Sequence, residues 1–309
     1  MDFLSFPQGS RNYAMGRTGV ADDASPSSVF YNPANIAFFD RVYWNANYLD
    51  WPLDIDLFDI GVFGGHAFRL SGDRAVYVAT AVRYSRMDVD FDSWSTIFLP
   101  EGVNDDFEFT DSAIPISIAA GFSTRHVEIG VGSTVKFVSS EVGDVTFDAT
   151  GIDVGATART KVNAWDNAEL SIALGASAIN LGDGPTYGGH EIKLPLEYHV
   201  GIGVGLAGYS GESRGAAALW RVNGNVEDVD TDSGEDIAFG VEFGVLDTAF
   251  LRVGHRGEEL SMDGDYWGFG LSARIGAFVI SADYARSSTL IYYSDEQPQS
   301  FGLSGSYRY

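Results

Sequence analysis

Apolar and polar residues alternate with period two along most of the chain from position 41 onward. In 113–124, Ile114, Ile116, Ile118, Ala120 and Phe122 share one side, opposite Ser117, Ala119, Gly121 and Ser123. In 193–208, Leu196, Tyr198, Val200, Ile202, Val204 and Leu206 oppose Glu197, His199, Gly201, Gly203 and Gly205. In 235–246, Ile237, Phe239, Val241, Phe243 and Val245 oppose Ala238, Gly240, Glu242 and Gly244. The last stretch places Phe301, Leu303, Gly305, Tyr307 and Tyr309 against Gly302, Ser304, Ser306 and Arg308. A period of two belongs to a β-strand, whose successive side chains point to opposite faces. Such strands are predicted at 41–50, 57–70, 73–86, 113–124, 126–139, 144–159, 168–180, 193–208, 213–224, 235–246, 248–257, 264–274, 276–287 and 299–309. Their lengths of roughly 9 to 15 residues suit tilted membrane strands. An aromatic-rich apolar face backed by a small, polar face fits a wall between lipid and a wet lumen. Lipid cannot satisfy an open sheet edge, so such a wall closes on itself. The predicted fold is all-β, a transmembrane, antiparallel, up-and-down barrel of about fourteen strands.

The connections alternate as well. With the N-terminus on the periplasmic side, the connections there are 71–73, 124–125, 161–167, 209–212, 246–247 and 275–276, mostly tight. The opposite side carries 51–56, 87–112, 140–144, 181–193, 226–234, 257–263 and 288–298. Short turns inside and longer loops outside are expected of an outer-membrane barrel. An even strand number leaves both termini on one side, and the aromatic ending at Phe301, Tyr307 and Tyr309 is expected to serve the barrel-assembly machinery as a C-terminal signal.

Residues 1 to about 40 do not alternate and hold turn formers, including Ser25-Pro26 and Asn32-Pro33. They contain Ala14-Met-Gly-Arg-Thr-Gly-Val-Ala-Asp-Asp-Ala-Ser25, then Ser28-Val-Phe-Tyr-Asn-Pro-Ala-Asn-Ile-Ala37. This wording resembles the N-terminal region of the FadL-type outer-membrane channels, and more closely that of the related PorV/PorQ-type proteins of the type IX secretion system. The resemblance covers some 25 residues and rests on Gly16, Arg17, Gly19, Asp22, Asp23, Asn32, Pro33 and Ala34. It implies a plug of residues 1–40 folded into the lumen of a 41–309 barrel, the two forming one domain.

The formal net charge of −24 argues against nucleic acid as a partner, because a phosphate backbone requires clusters of Lys and Arg. Acidic excess is compatible with solvated loops, divalent cations at a lipopolysaccharide surface, or a salty habitat. Cysteine is absent, which removes disulfides and thiolate metal sites. No run approaches 18 apolar residues, so no helical span is predicted. No charged-then-apolar leader precedes Met1-Asp2-Phe3, and the expectation is that a secretory signal has been removed before insertion in a bacterial outer membrane. No His-Glu-x-x-His, Gly-x-Ser-x-Gly or P-loop occurs, and the five histidines have no ligand spacing, so neither an enzyme nor a cofactor or metal is expected.

The lumen-facing parity selects a ladder of charges: Arg83, Glu128, Glu197, Glu242, Arg252, Arg274, Asp283 and Arg308. Glu242 is expected to pair with Arg252, and Asp283 with Arg274 or Arg308, either to fix the plug or to line a transport path. Phe91, Trp94, Phe98 and Phe107 in the longest loop, with Tyr292 and Tyr293 in the last, are candidate contacts at the mouth. They would cap a groove for a hydrophobic ligand, contact a protein partner, or pack on their own barrel. The acidic run 227–236 fails as an EF-hand, since Gly234 falls one position late and Phe239 replaces the bidentate glutamate, and it reads as a solvated loop. Two functions stay open. One is passive, plug-gated uptake of a hydrophobic or small amphipathic solute; the other is a sealed PorV-like barrel that binds exported proteins, beside a purely structural envelope role.

Overall fold

The computed structural model describes residues 2–22, 25–90, 108–187, 190–210, 217–231, 234–257, 264–288 and 297–307. Sixteen strands follow an N-terminal segment. They are β1 (Val42–Trp51), β2 (Ile55–Arg69), β3 (Ala75–Asp90), β4 (Glu108–Ser123), β5 (Val127–Val142), β6 (Val145–Trp165), β7 (Ala168–Leu181) and the two-residue β8 (Thr186–Tyr187) and β9 (His190–Glu191). Then come β10 (Glu197–Gly208), β11 (Trp220–Thr231), β12 (Gly234–Val245), β13 (Ala249–Gly257), β14 (Gly264–Ile275), β15 (Phe278–Ser287) and β16 (Gln299–Tyr307). Strands β8 and β9 form a separate hairpin, and the other fourteen close into one antiparallel barrel in which β1 bonds to both β2 and β16.

The burial pattern is that of a wall with its oily side out. Val62, Ile118, Val200 and Leu251 are 57, 59, 61 and 66% exposed, while the inward Asn45, Asp153 and Glu242 are at most 2% exposed. So much regular apolar surface facing outward calls for lipid rather than water as the outer solvent. Aromatic residues mark both ends of this band: Trp165, Phe278 and Tyr307 near the end holding the N-terminal residue of β1, and Tyr48, Tyr198 and Trp267 near the other. Phe301 and Tyr307 share the outer face of β16.

All fourteen predicted wall strands have a counterpart, but one lies in a different place. The stretch expected at 213–224 is β11, Trp220–Thr231. Its outer positions are Val222, Gly224, Val226, Asp228 and Asp230, and its inner ones Arg221, Asn223, Asn225, Glu227 and Val229. The acidic run 227–231 is therefore strand, not loop, and alternation persists where hydrophobicity gives out. Residues 209–219 accordingly separate β10 from β11, and two residues separate β11 from β12. With β5 and β6 joined through Gly143 (φ 57°) and Asp144, the contrast between short and long ends is weaker than the sequence suggests.

Candidate functional site

The candidate site is the inner face of the wall, against which the N-terminal segment packs. That segment consists of one short helix, α1 (Ser10–Ala14), and three 3-10 turns, Asp2–Ser5, Pro26–Phe30 and Pro33–Phe38. From Pro7 to Phe39 every described residue except Arg11 and Phe30 is buried. Contacts reach strands around the whole circle. The Arg83 guanidinium (β3) donates to Gln8 at 2.6 Å, Ser10 meets Ser300 (β16) at 2.8 Å, and the Tyr13 hydroxyl donates to Ser287 (β15) at 3.0 Å.

Local chemistry explains these turns. Ser25 accepts from the Ser27 amide and Asn32 from the Ala34 amide, each followed by a proline that has no amide to satisfy. The Asn32 amide also donates to the carbonyls of Val20, at 2.9 Å, and Ala156 on β6, at 3.0 Å, so one side chain caps a turn and ties it to the wall. Pro33 lies against Gly132, and Ala34 is fully buried. Gly16 and Arg17 both take left-handed backbone (φ 70° and 65°) just after α1. Gly16 there presses on the β12–β13 pair. A Cβ at Gly240 or Gly254 would collide with Met15 or Gly16, and one at Gly175 with the Val20 carbonyl. These inward glycines let the segment's backbone approach the wall directly.

Three charge networks hold this packing. Arg11 reaches both Asp22 and Glu242, the latter at 2.9 Å; Glu242 accepts from Arg252 at 2.7 Å, and Arg252 from its other nitrogen donates to Asp283 at 2.6 Å. Burial opposes the charge on Arg11, but the two carboxylates outweigh it and its pKa is raised. Arg83 pairs with Asp59 at 2.9 Å, and Asp59 also accepts from Asn45 and Asn47. Glu227 and Glu197 flank His199, with ring-nitrogen contacts of 2.6 and 3.0 Å, and Glu227 accepts from the Gly19 and Val20 amides at 2.7 and 2.9 Å.

The expected charge ladder is thus partly assembled. Glu242 meets Arg252 as expected, and Glu128 meets Arg159. Asp283 does not meet Arg274: the register sets Gly270 beside Asp283 and Arg274 beside Val279, four residues along and exposed at the strand end. Its partner is Arg252. Arg17 donates to the Ser5 carbonyl at 3.0 Å. Asp23, Arg308, Tyr309, Phe91, Trp94, Phe98, Phe107, Tyr292 and Tyr293 lie outside the described residues.

The inner face holds two apolar clusters, one around Phe3 and one of Val29, Ile36, Phe38, Phe39 and Phe63 at the end where Tyr43 pairs with Phe63. Toward the end with Trp51, Phe3 is fully buried among Leu49, Trp51, Leu57, Met87, Val89 and Tyr266, with Phe6 edge-on to Trp51 at 5.2 Å. Toward the other end, a cavity of about 80 Å³ is lined by Asp22, Arg159, Lys161, Glu169, Arg221 and Asn223. A second cavity, between Phe6 and the Glu197–His199 pair, holds about 30 Å³. Both are smaller than the roughly 150 Å³ that admits benzene in an engineered protein core.

Neither a protein-family model nor a curated protein sequence matches this chain. Solved structures do. The Pseudomonas putida toluene transporter TodX matches over 98% of both chains with 12% identity and a TM-score of 0.56. The Ralstonia pickettii toluene transporter TbuX, also over 98% of both chains, gives 11% and 0.50. A Pseudomonas aeruginosa FadL homologue, over 97% of this chain and 98% of its own, likewise gives 11% and 0.50. The chain has the FadL-type fold. Within that FadL-type barrel, the residues that sequence reasoning missed are Gln8, Arg11, Tyr13 and Glu227. The first three sit in a segment without periodicity; Glu227 was legible from parity alone, two residues after Asn225 on the inner face.

Proposed function

We propose that this protein is an outer-membrane channel for small apolar solutes, closed at rest by its N-terminal segment and crossed by passive diffusion. The observation that carries the reading is the apolar chamber around Phe3, where an aromatic ring of the chain itself occupies a pocket lined by Leu49, Trp51, Leu57 and Tyr266. Toluene transporters share the fold, which favours a hydrocarbon of that size. The apolar chamber gives a solute a place to partition from outside, and the charged groups beyond it give a weaker hold further in. Gly16, Arg17, Gly19, Asp22, Asn32, Pro33 and Ala34 would serve as the plug's fixed body, and the outer apolar band would meet lipid and lipopolysaccharide.

Deleting residues 2–36 tests this in planar bilayers. The wild type should conduct little, and the deletion should raise conductance at least tenfold while keeping a folded barrel. A lumen that stays closed would remove the plug assignment. The filled lumen also suits the sealed-barrel reading, in which exported proteins bind outside. A stoichiometric protein companion in native mass spectrometry, with no apolar small molecule, would favour that second reading.

A further inference from the structure

Most luminal charge pairs join Arg or Lys to a carboxylate and hold no group that titrates near neutral pH. The cluster between β10 and β11 differs. His199 is 1% exposed, with Nδ1 at 2.6 Å from Glu227 Oε1 and Nε2 at 3.0 Å from Glu197 Oε2. A neutral imidazole has one donor and one acceptor nitrogen, so one of these contacts would then set a lone pair against a carboxylate. With a carboxylate on each side, the ring fits as the imidazolium. The second oxygen of Glu227 accepts from the amides of Gly19 and Val20, the point where the N-terminal segment crosses β11.

The surrounding groups do not replace that cation. Tyr31 of the segment meets the ring edge-on, and Ser177 of β7 faces it in register. Arg17 and Arg256 lie toward Glu197, and Arg256 is itself paired with Asp236 of β12 at 2.8 Å. Among the described residues, the cation in ion-pair contact with Glu227 is His199.

We propose that Glu227 and His199 form a pH-sensitive latch on the N-terminal segment, holding Gly19 and Val20 to the wall while His199 is charged and releasing them as rising pH removes its proton. Loss of that proton leaves Glu227 a buried carboxylate without its cation, which is strongly unfavourable. Water would relieve it, but Val20 packs over Gly175 and Gly201 and fills that space. Solvating Glu227 therefore requires the 19–20 backbone to lift. The latched state binds one proton more than the released state, so its advantage is present at lower pH and lost as pH rises.

The idea rests on the reading above only in taking the segment as what closes the lumen. The chain has no cysteine, so Val20→Cys gives a single buried thiol. Its maleimide labelling would be followed in detergent from pH 6 to 10. Dividing by the rate of Thr124→Cys, on an exposed turn, removes the thiol's own pH dependence. The corrected rate should rise by up to about tenfold per pH unit through the transition, the limit for one proton. In the same background His199→Gln should label fast at every pH. Glu227→Gln should label slowly at every pH, because its carbonyl still accepts both amides and no longer needs a cation. Resistance to unfolding in unheated SDS shows which variants are folded; either one suffices. A flat corrected rate in Val20→Cys, or an undiminished rise in either folded variant, overturns the latch. Labelling reports segment movement whether or not solute passes, so a pH-dependent rate in a barrel that never conducts would keep the latch and remove the channel.

Discussion

At the scale of single residues, the lumen separates charges that hold the structure from charges that decorate it. Glu242 accepts from Arg11, Arg252 and Asn223 and is 2% exposed. Glu242→Ala leaves the buried Arg252 and the largely covered Arg11 short of a carboxylate, although Asp283 and Asp22 each retain one of them. The expected loss is about 3 kcal/mol, the lower end for breaking a buried pair, read as the shift in urea unfolding of the barrel in micelles. Arg274 reads in sequence as an equal member of the ladder, yet it stands exposed at a strand end. Arg274→Ala should move the same transition by less than about 0.5 kcal/mol. Parity told which face each charge takes, but depth along the strand decides whether it is paired, and depth follows from register.

At the scale of elements, β11 shows what period two can and cannot convey. Its inner Glu227 and outer Asp228 are neighbours in sequence with opposite surroundings, one buried at 2% and one exposed. Asp228→Ser combined with Asp230→Ser should leave stability within about 0.5 kcal/mol of wild type, because both side chains project outward and are exposed. One alanine inserted between Val226 and Glu227 should prevent recovery of folded barrel, since a one-residue slip turns every later side chain to the wrong face. Heat-modifiable migration on SDS gels checks both. The walls were legible because lipid outside and water or polar packing inside impose alternation on every strand. The position of β11 was not, because its last outward residues are acidic and look like loop. The arrangement of 1–40 was legible only through its Asn-Pro-Ala wording, since its contacts join residues up to 290 positions apart, as between Ser10 and Ser300.

At the scale of the whole molecule, the barrel holds its hydrophobic surface in the outer band, which faces lipid, in the chamber around Phe3, and in a second inner cluster of Val29, Ile36, Phe38, Phe39 and Phe63 toward the opposite end. The chamber has no structural need to be apolar, because a lumen packed with Asn, Asp and Arg is stable elsewhere in the same barrel. Phe3→Ala would empty part of the chamber and should cost about 3 kcal/mol or somewhat more, as for other buried aromatic truncations. If the chamber is a solute site, toluene should enter the space and return part of that loss. A ligand at one hundred times its dissociation constant restores about 2.7 kcal/mol. Thermal unfolding of Phe3→Ala in micelles, with and without saturating toluene, measures this, and the wild type is the control for toluene acting on the micelle. Restoration in the variant beyond any shift in the wild type means that Phe3 occupies a solute's place. Equal shifts in both mean that the chamber is ordinary core, and then the filled lumen argues for a sealed barrel.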